Sequence, residues 1–476
     1  MNVLNQIIKV VSGNFVTTLF GIIAMPLISR IYLPSTFGIA TYFTTIVSIL
    51  LIASSLKYPK AIMLPTKENK RHNLAVGSFY LSVANICIIS IGIYFLGDLL
   101  FVKISMPEII PYLWIIPFAL LINSGNTILG FYLKRHNYFG YISLGLIVAS
   151  IISVCLKVIV GFKFDGNVLG LIFGNQIAIL VTLIISIIVY VKKIMPGTRQ
   201  VEVSFNHIKE VFREYLKFPT YEVGISLLNL VSKNGVVLYL GYFFDNSVIG
   251  YYGMAFLLIR LPISVFVTAL SDVFYRFLSM TDKINDVIPK LLEFLLKIAL
   301  IPTIILASLG KEIFIFALGK HWEEAGVYSQ FMAIIFIFNF IIAPLNSVFL
   351  VKAKNNIFLI NNLILFLLTF LSVFVGGYFS SSVLAVFLIS LSFGISYILI
   401  GRNIFKIAGI NISQYFLLIM KYFLIIIPMV IAIIFVKYIS IYYTIIILLS
   451  FSLFFIYYAM YKSEKFSEFI LFLKNT

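Results

Sequence analysis

Arg260 stands inside AFLLIRLPISVF and Lys233 inside LNLVSKNGVVLYL, two runs with no other charge. A cation at the centre of a bilayer costs about 2.5–3.5 kcal/mol on insertion scales, so such residues mark places where something is bound. Upstream of Lys233, the residues Glu222, Ser226 and Asn229 complete a series with steps of four, three and four, which is one face of a helix. Arg260, Ser264, Thr268 and Ser271 keep a similar spacing, as do Asn14, Thr18 and Gly21, and Thr41, Thr44, Ser48 and Ser55. A guanidinium pairs well with phosphate oxygens. Hydroxyls and amides both donate to and accept from hydroxyl groups, so the combination suits an anionic, hydroxyl-rich solute. Other readings stand beside this one. Arg260 could simply pair with Glu222, Lys297 could be neutralised by Glu293 one turn before it, and Lys233 and Lys157 could snorkel to an interface.

These residues need apolar elements to hold them. Of the 476 residues, 61% are hydrophobic, 16% aromatic and 11% charged, against about 25% charged in soluble domains. Apolar runs recur from end to end, which predicts an all-α polytopic membrane protein. Fourteen spans are expected, near residues 10–29, 38–56, 74–96, 112–133, 141–160, 168–191, 218–240, 249–270, 291–310, 327–350, 358–378, 383–401, 415–436 and 442–461. The ninth is the weakest, interrupted by Pro302 and carrying Lys297, and the twelfth is also weak. The net charge of +17 then reads as topology. Of 35 Lys and Arg, 24 fall on the side of the N-terminus, six on the other and five within spans. The positive-inside rule places both termini in the cytoplasm. It also removes nucleic acid as the reason for the charge.

The remaining inventory is sparse. Cys87 and Cys155 fall within apolar spans and are expected as small buried hydrophobes, and the four His are in loops without metal-ligand spacing. The longest outer loop, about 311–326, is too short for a catalytic domain, and the largest inner one, 192–217, is basic without a phosphate cradle. Setting Gly38 on Gly250 aligns YLPSTFG with FDNSVIG, an offset of 212 residues. That spans six helices, so the halves share orientation, as in a parallel repeat. The expected organisation is a six-helix lobe 1–191, a basic linker 192–217, a second lobe 218–401, and two further helices with a tail in 402–476. The substrate site is expected between the lobes.

The opening SGNFVTTLFGIIAMPLISRIYLPSTFGIATYF, with Arg30 before Tyr32-x-Pro34 and Phe37-Gly38, resembles the Wzx-type polysaccharide-biosynthesis flippases. SLKYPKAIMLP, YLKFPTYEVGISLLN, IGYYGMAFLLIRLPISVF and LGKHWEEAG are similar to the same family. The family shares a superfamily with multidrug-and-toxin extruders and lipid II flippases. The resemblance implies two six-helix lobes around a V-shaped cavity that opens alternately to each side. It implies an undecaprenyl-pyrophosphate-linked oligosaccharide as substrate, held by cationic residues. Carried over by position, these are Arg260 and then Lys233, with Asn14 and Arg30 on the first span and Lys57 at the cytoplasmic mouth; Glu222, Asn229 and Lys297 complete the set. Arg30 could equally be an interface anchor and Lys57 a plain positive-inside residue.

The expected protein is a transporter of a bacterial inner membrane rather than an enzyme, working as a monomer, with the polymerase machinery as a possible neighbour. It needs no cofactor; proton, sodium or membrane potential all stay open as the coupling source. A multidrug exporter is the alternative on the same fold, disfavoured because the first span holds no acid. A membrane-embedded polymerase or ligase is disfavoured by the short outer loops.

Overall fold

The structure, a computed structural model, describes residues 3–198, 201–280, 284–352 and 354–439. Every regular element among them is helical. A bilayer core offers no water to backbone amides, so a crossing chain must satisfy them internally, and a helix does so within one segment. The first group is α1 (Val3–Ile31), α2 (Pro34–Ser55), the single turn α3 (Tyr58–Ala61), α4 (Glu68–Lys103), α5 (Ile115–Arg135), α6 (Phe139–Lys163), α7 (Val168–Val189) and α8 (Met195–Thr198). Then come α9 (Phe205–Glu214), α10 (Val223–Asn234), α11 (Val236–Phe243) and α12 (Asn246–Met280). The last are α13 (Ile284–Leu318), α14 (Glu323–Ile342), α15 (Ser347–Val351), α16 (Asn355–Tyr378), α17 (Ser382–Ile407) and α18 (Ile412–Ile439).

Eleven of the described helices are long and apolar enough to cross a membrane, and a twelfth crossing is the bent pair Phe218–Asn234 and Val236–Phe243. The eighth expected span falls on α12. The protein is therefore a multi-pass, all-α membrane protein. The fourteenth expected span, 442–461, and the tail lie outside the described residues.

Several local expectations are corrected. The seventh span is not one straight helix: it opens with a π turn, Phe218–Glu222, and bends by 47° where α10 gives way to α11. Pro219 in the π turn has no N–H to donate, and Gly235 at the bend is a weak helix former. The ninth span is continuous. Helix α13 runs through Pro289 and Pro302, as helices among packed neighbours can. It also absorbs the first half of the expected outer loop. Only Gly319, with φ of +101°, and a 3-10 turn, Lys320–Trp322, separate α13 from α14. The expected inner loop carries α9, whose N-cap Ser204 accepts from the His207 amide at 3.3 Å. Cys87 and Cys155 are free thiols on exposed faces, not buried; in an apolar span that face meets hydrocarbon.

By packing, the chain forms two compact units. One comprises Met1–Met254, Ala317–Trp322 and Thr369–Ser382; the other comprises Ala255–Phe316, Glu323–Leu368 and the chain from Val383 on. In the first, α6 packs on α1 and α7, and α2 lies against α4, α5, α7 and α10.

The repeat is visible in the elements. Displaced by 212 residues, the starts of α4, α5, α6 and α7 fall within four residues of the starts of α13, α14, α16 and α17. Inside the first unit the two halves meet reciprocally. A Cβ on Gly38 would collide with the Asn246 carbonyl oxygen, and one on Gly250 with that of Pro34. Asn246 is Pro34 displaced by the same offset. A second exchange joins Ser29, whose Oγ donates to the Leu318 oxygen at 3.1 Å, to Gly241, whose Cβ would lie 3.0 Å from Met106 Sδ. Residues 241 and 106 are the counterparts of 29 and 318 with partners swapped. That is the signature of a local twofold axis.

Candidate functional site

Two consecutive residues in the left-handed region, Leu56 at φ 46° and Lys57 at φ 60°, end α2. For non-glycine residues that conformation costs on the order of 1–3 kcal/mol each, so the surroundings must enforce it. They do so through Tyr58, which begins α3, stacks on Phe212 of α9 at 4.2 Å and donates to the Phe212 oxygen at 3.2 Å. Tyr58, Ala61 and Ile62 sink into a buried cluster with Leu74, Ile128 and Tyr132. The sharp turn delivers Lys57 and Lys60 beside the π turn that carries Glu222.

Lys60 Nζ lies 2.7 Å from Glu222 Oε2. The carboxylate considered above as a partner for Arg260 is thus engaged by Lys60, a residue that the sequence reading counted only toward orientation. Lys57 is half-buried. Burial first, and then the neighbouring Lys60, push its ammonium below the ordinary lysine range, while Glu222 opposes the shift.

Beyond Glu222, α10 carries Asn229, whose Nδ2 donates to the Ile225 oxygen at 3.0 Å, and Lys233, half-buried in the last turn before the bend. Asn14 is half-buried on α1, where neighbouring Gly13 meets Ser143 of α6. Arg30 is exposed in the last turn of α1, next to the start of α2. Lys57 is at the opposite end of that 22-residue helix, about 30 Å away at 1.5 Å per residue. The structure therefore brings Lys57 and Glu222 together and leaves Arg30 apart from them.

The second unit holds the other two cations. Arg260 is exposed on α12, in electrostatic reach of buried Tyr397 on α17. Lys297 lies 3.4 Å from Glu293, which also takes Lys421 at 3.9 Å and the Tyr422 hydroxyl at 3.4 Å. Its charge is shared with that carboxylate, one of the two alternatives left by the sequence.

Two groups escaped the sequence reading. Asn123 of α5 and Asn175 and Gln176 of α7 border a cavity of about 330 Å3 together with Thr44 and Ser48, already singled out on α2. The signal was present in LLINSGNTILG and FGNQIAI, amides inside apolar runs, but attention to cations passes over neutral groups. The other gathers residues distant in sequence. Glu68 pairs with buried Arg71, accepts from the Tyr132 hydroxyl at 2.6 Å, and lies 3.3 Å from His136 Nε2, with His72 beside Tyr132.

Similar folds are known. The lipid II flippase MurJ in an inward closed conformation superposes with a TM-score of 0.72 at 14% identity, covering 96% of this chain and 100% of that one. An inward-facing multidrug resistance MATE family transporter of the MOP superfamily gives 0.59 at 14% identity over 82% and 96% of the two chains. The Vibrio cholerae MATE transporter VcmN gives 0.54 at 15% identity over 85% and 97%. At such identities the likeness speaks for the fold. No curated protein sequence matches the chain. A family model described as polysaccharide biosynthesis protein matches residues 27–327, α2 through α12 included. On that match, which spans more than half of its length, the chain belongs to the polysaccharide biosynthesis protein family.

Proposed function

We propose that this protein flips an undecaprenyl-pyrophosphate-linked oligosaccharide, an O-antigen, capsule or related repeat unit, from the cytoplasmic to the outer leaflet of a bacterial inner membrane. It does so by alternating access, without covalent change to its cargo. The observation that carries the reading is the family match, whose 27–327 reach takes in Arg260, an exposed guanidinium on a helix otherwise without charge from Ile249 to Ser271. A guanidinium so placed suits a pyrophosphate. Lys233 is the second candidate, followed by Lys57 with Glu222 and Asn229, and then Asn14 and Arg30; the carboxylate beside Lys297 puts it last. The lobes 1–191 and 218–401, joined by 192–217, would alternate, with 402–476 appended.

The Lys57 end of α2 is assigned to the cytoplasm, where most Lys and Arg are expected, and both termini with it. The lipid tail stays in the bilayer while the head group crosses. A potential of 100 mV acting on an anionic head group contributes about 2.3 kcal/mol per charge, beside proton or sodium coupling.

In cells lacking the gene, the lipid-linked intermediate should accumulate, and its mass identifies the glycan. Reintroducing the Arg260→Ala form should leave that intermediate on the cytoplasmic leaflet. Normal surface glycan in that strain would remove the phosphate role of Arg260. A multidrug exporter on this fold would instead leave the glycan lipids untouched and change drug susceptibility.

A further inference from the structure

The cavity bordered by Thr44, Ser48, Asn123, Asn175 and Gln176 lies wholly within the first unit and has no ionisable residue in its lining. Its hydrogen-bonding capacity can be followed atom by atom. The Thr44 hydroxyl donates to the Ala40 oxygen at 2.8 Å and that of Ser48 to the Thr44 oxygen at 2.8 Å, so both turn lone pairs toward the cavity. Asn123 Nδ2 spends its two hydrogens on the Ala119 oxygen at 2.8 Å and on Gln176 Oε1 at 3.1 Å. What remains among the described residues is the Asn123 carbonyl, the Gln176 amide hydrogens and both ends of the Asn175 amide. Val47 and Ile179 supply an aliphatic wall.

Unmet polar groups inside a membrane-spanning bundle are costly, and they persist where water or a ligand meets them. The chemistry of that ligand is constrained. An anion finds no cation here and several acceptors facing it. A desolvated metal ion uses oxygens alone and would leave the amide hydrogens of Gln176, whose Oε1 is already taken by Asn123, without an acceptor. A hydrocarbon tail would leave the amides unpaired, at about 1–3 kcal/mol for each buried group. A pyranose ring meets all three demands. Its rim of hydroxyls donates to the hydroxyl and Asn123 oxygens and accepts from Gln176 and Asn175, while its C–H face covers Val47 and Ile179. The volume falls in the range of about 300–1,000 Å3 for small-molecule sites.

We propose that this neutral pocket of the first unit binds an uncharged sugar ring of the transported glycan, apart from the cations that would hold the pyrophosphate. The assignment rests on the flippase reading, and the test separates the two. The full-length protein is placed in lipid nanodiscs and titrated with two probes: undecaprenyl pyrophosphate carrying the glycan that accumulates in the deletion strain, and undecaprenyl pyrophosphate alone. The unsubstituted protein should bind the glycosylated lipid more tightly. Asn175→Leu and Gln176→Leu should each weaken that lipid by about tenfold, the effect of one or two neutral hydrogen bonds, with the bare lipid changed less than twofold. Ser48→Ala, a smaller change, should weaken the glycosylated lipid alone and keeps the test open if a leucine form does not fold. Equal weakening of both lipids, no weakening of either, or a shift only in sodium dependence would each overturn the sugar assignment. If the unsubstituted protein binds neither lipid, the flippase reading itself fails.

Discussion

The two ends of α2 are held in opposite ways. At the Pro34 end the backbone touches backbone: Gly38 and Gly250 leave no room for a Cβ, and Trp322 is fully buried alongside. Its indole donates to the Ser29 oxygen at 2.9 Å, while Phe37 meets it edge-on at 5.1 Å and Tyr251 at 6.3 Å. No charged group takes part in these contacts. At the Lys57 end the contact with Glu222 is an ion pair whose side chains are 52% and 33% exposed. Exposed pairs contribute only about 0–1 kcal/mol. The Pro34 end is fixed by shape alone, while the Lys57 end adds a weak, water-accessible ion pair to the stacking and burial of Tyr58.

Four substitutions can break or sharpen that contrast. Trp322→Ala should have the largest effect, about 3–5 kcal/mol of lost stability for a buried Trp, read as a fall in the thermal unfolding midpoint in detergent. An unchanged midpoint would show that the aromatic contact holds nothing. Gly38→Ala comes next, at about 1–3 kcal/mol for overpacking. Gly250→Ala should match it closely, and the double variant should cost less than the sum because the two share one contact. Unequal single effects would contradict the twofold arrangement. Glu222→Gln should cost less than about 1 kcal/mol; a loss as large as that of Gly38→Ala would erase the difference between the ends.

The smallest effect is in the pH dependence. Burial and Lys60 hold Lys57 below its ordinary value of 10.5 in the folded protein. Between the folded value and 10.5 the unfolded chain binds more protons, so this residue makes stability rise with pH across that window. Lys57→Met should flatten the rise in a series of unfolding curves from neutral to alkaline pH. Glu222→Gln should steepen it, since Glu222 favours the charged lysine. A slope insensitive to both would place the titration elsewhere.

Much of this was legible in the residues. Apolar runs of about 20 residues locate the helices because hydrocarbon thickness sets their length, and Gly38 aligned with Gly250 gives the repeat. The bend at Gly235 was not legible: a glycine and a proline within a span permit a break without dictating one. Nor was the partner of Glu222. Its neighbour Lys60 is 162 positions away and arrives through the left-handed turn at Leu56–Lys57, which no periodicity announces. The neutral pocket was hidden for a different reason. Asn123, Asn175 and Gln176 scarcely alter the hydropathy of their runs, and only folding collects them on one wall.

The exchange of Gly38 and Gly250 between halves has a consequence for ancestry. Each half presents the same small patch and receives the same carbonyl, so the patch is complementary to itself. A chain of half this length would have carried everything needed to pair with a second copy in that region. Fusing two such chains preserves the contact while freeing each copy to drift. The neutral wall of amides in one half and Arg260 in the apolar stretch of the other are differences that a fused pair can keep.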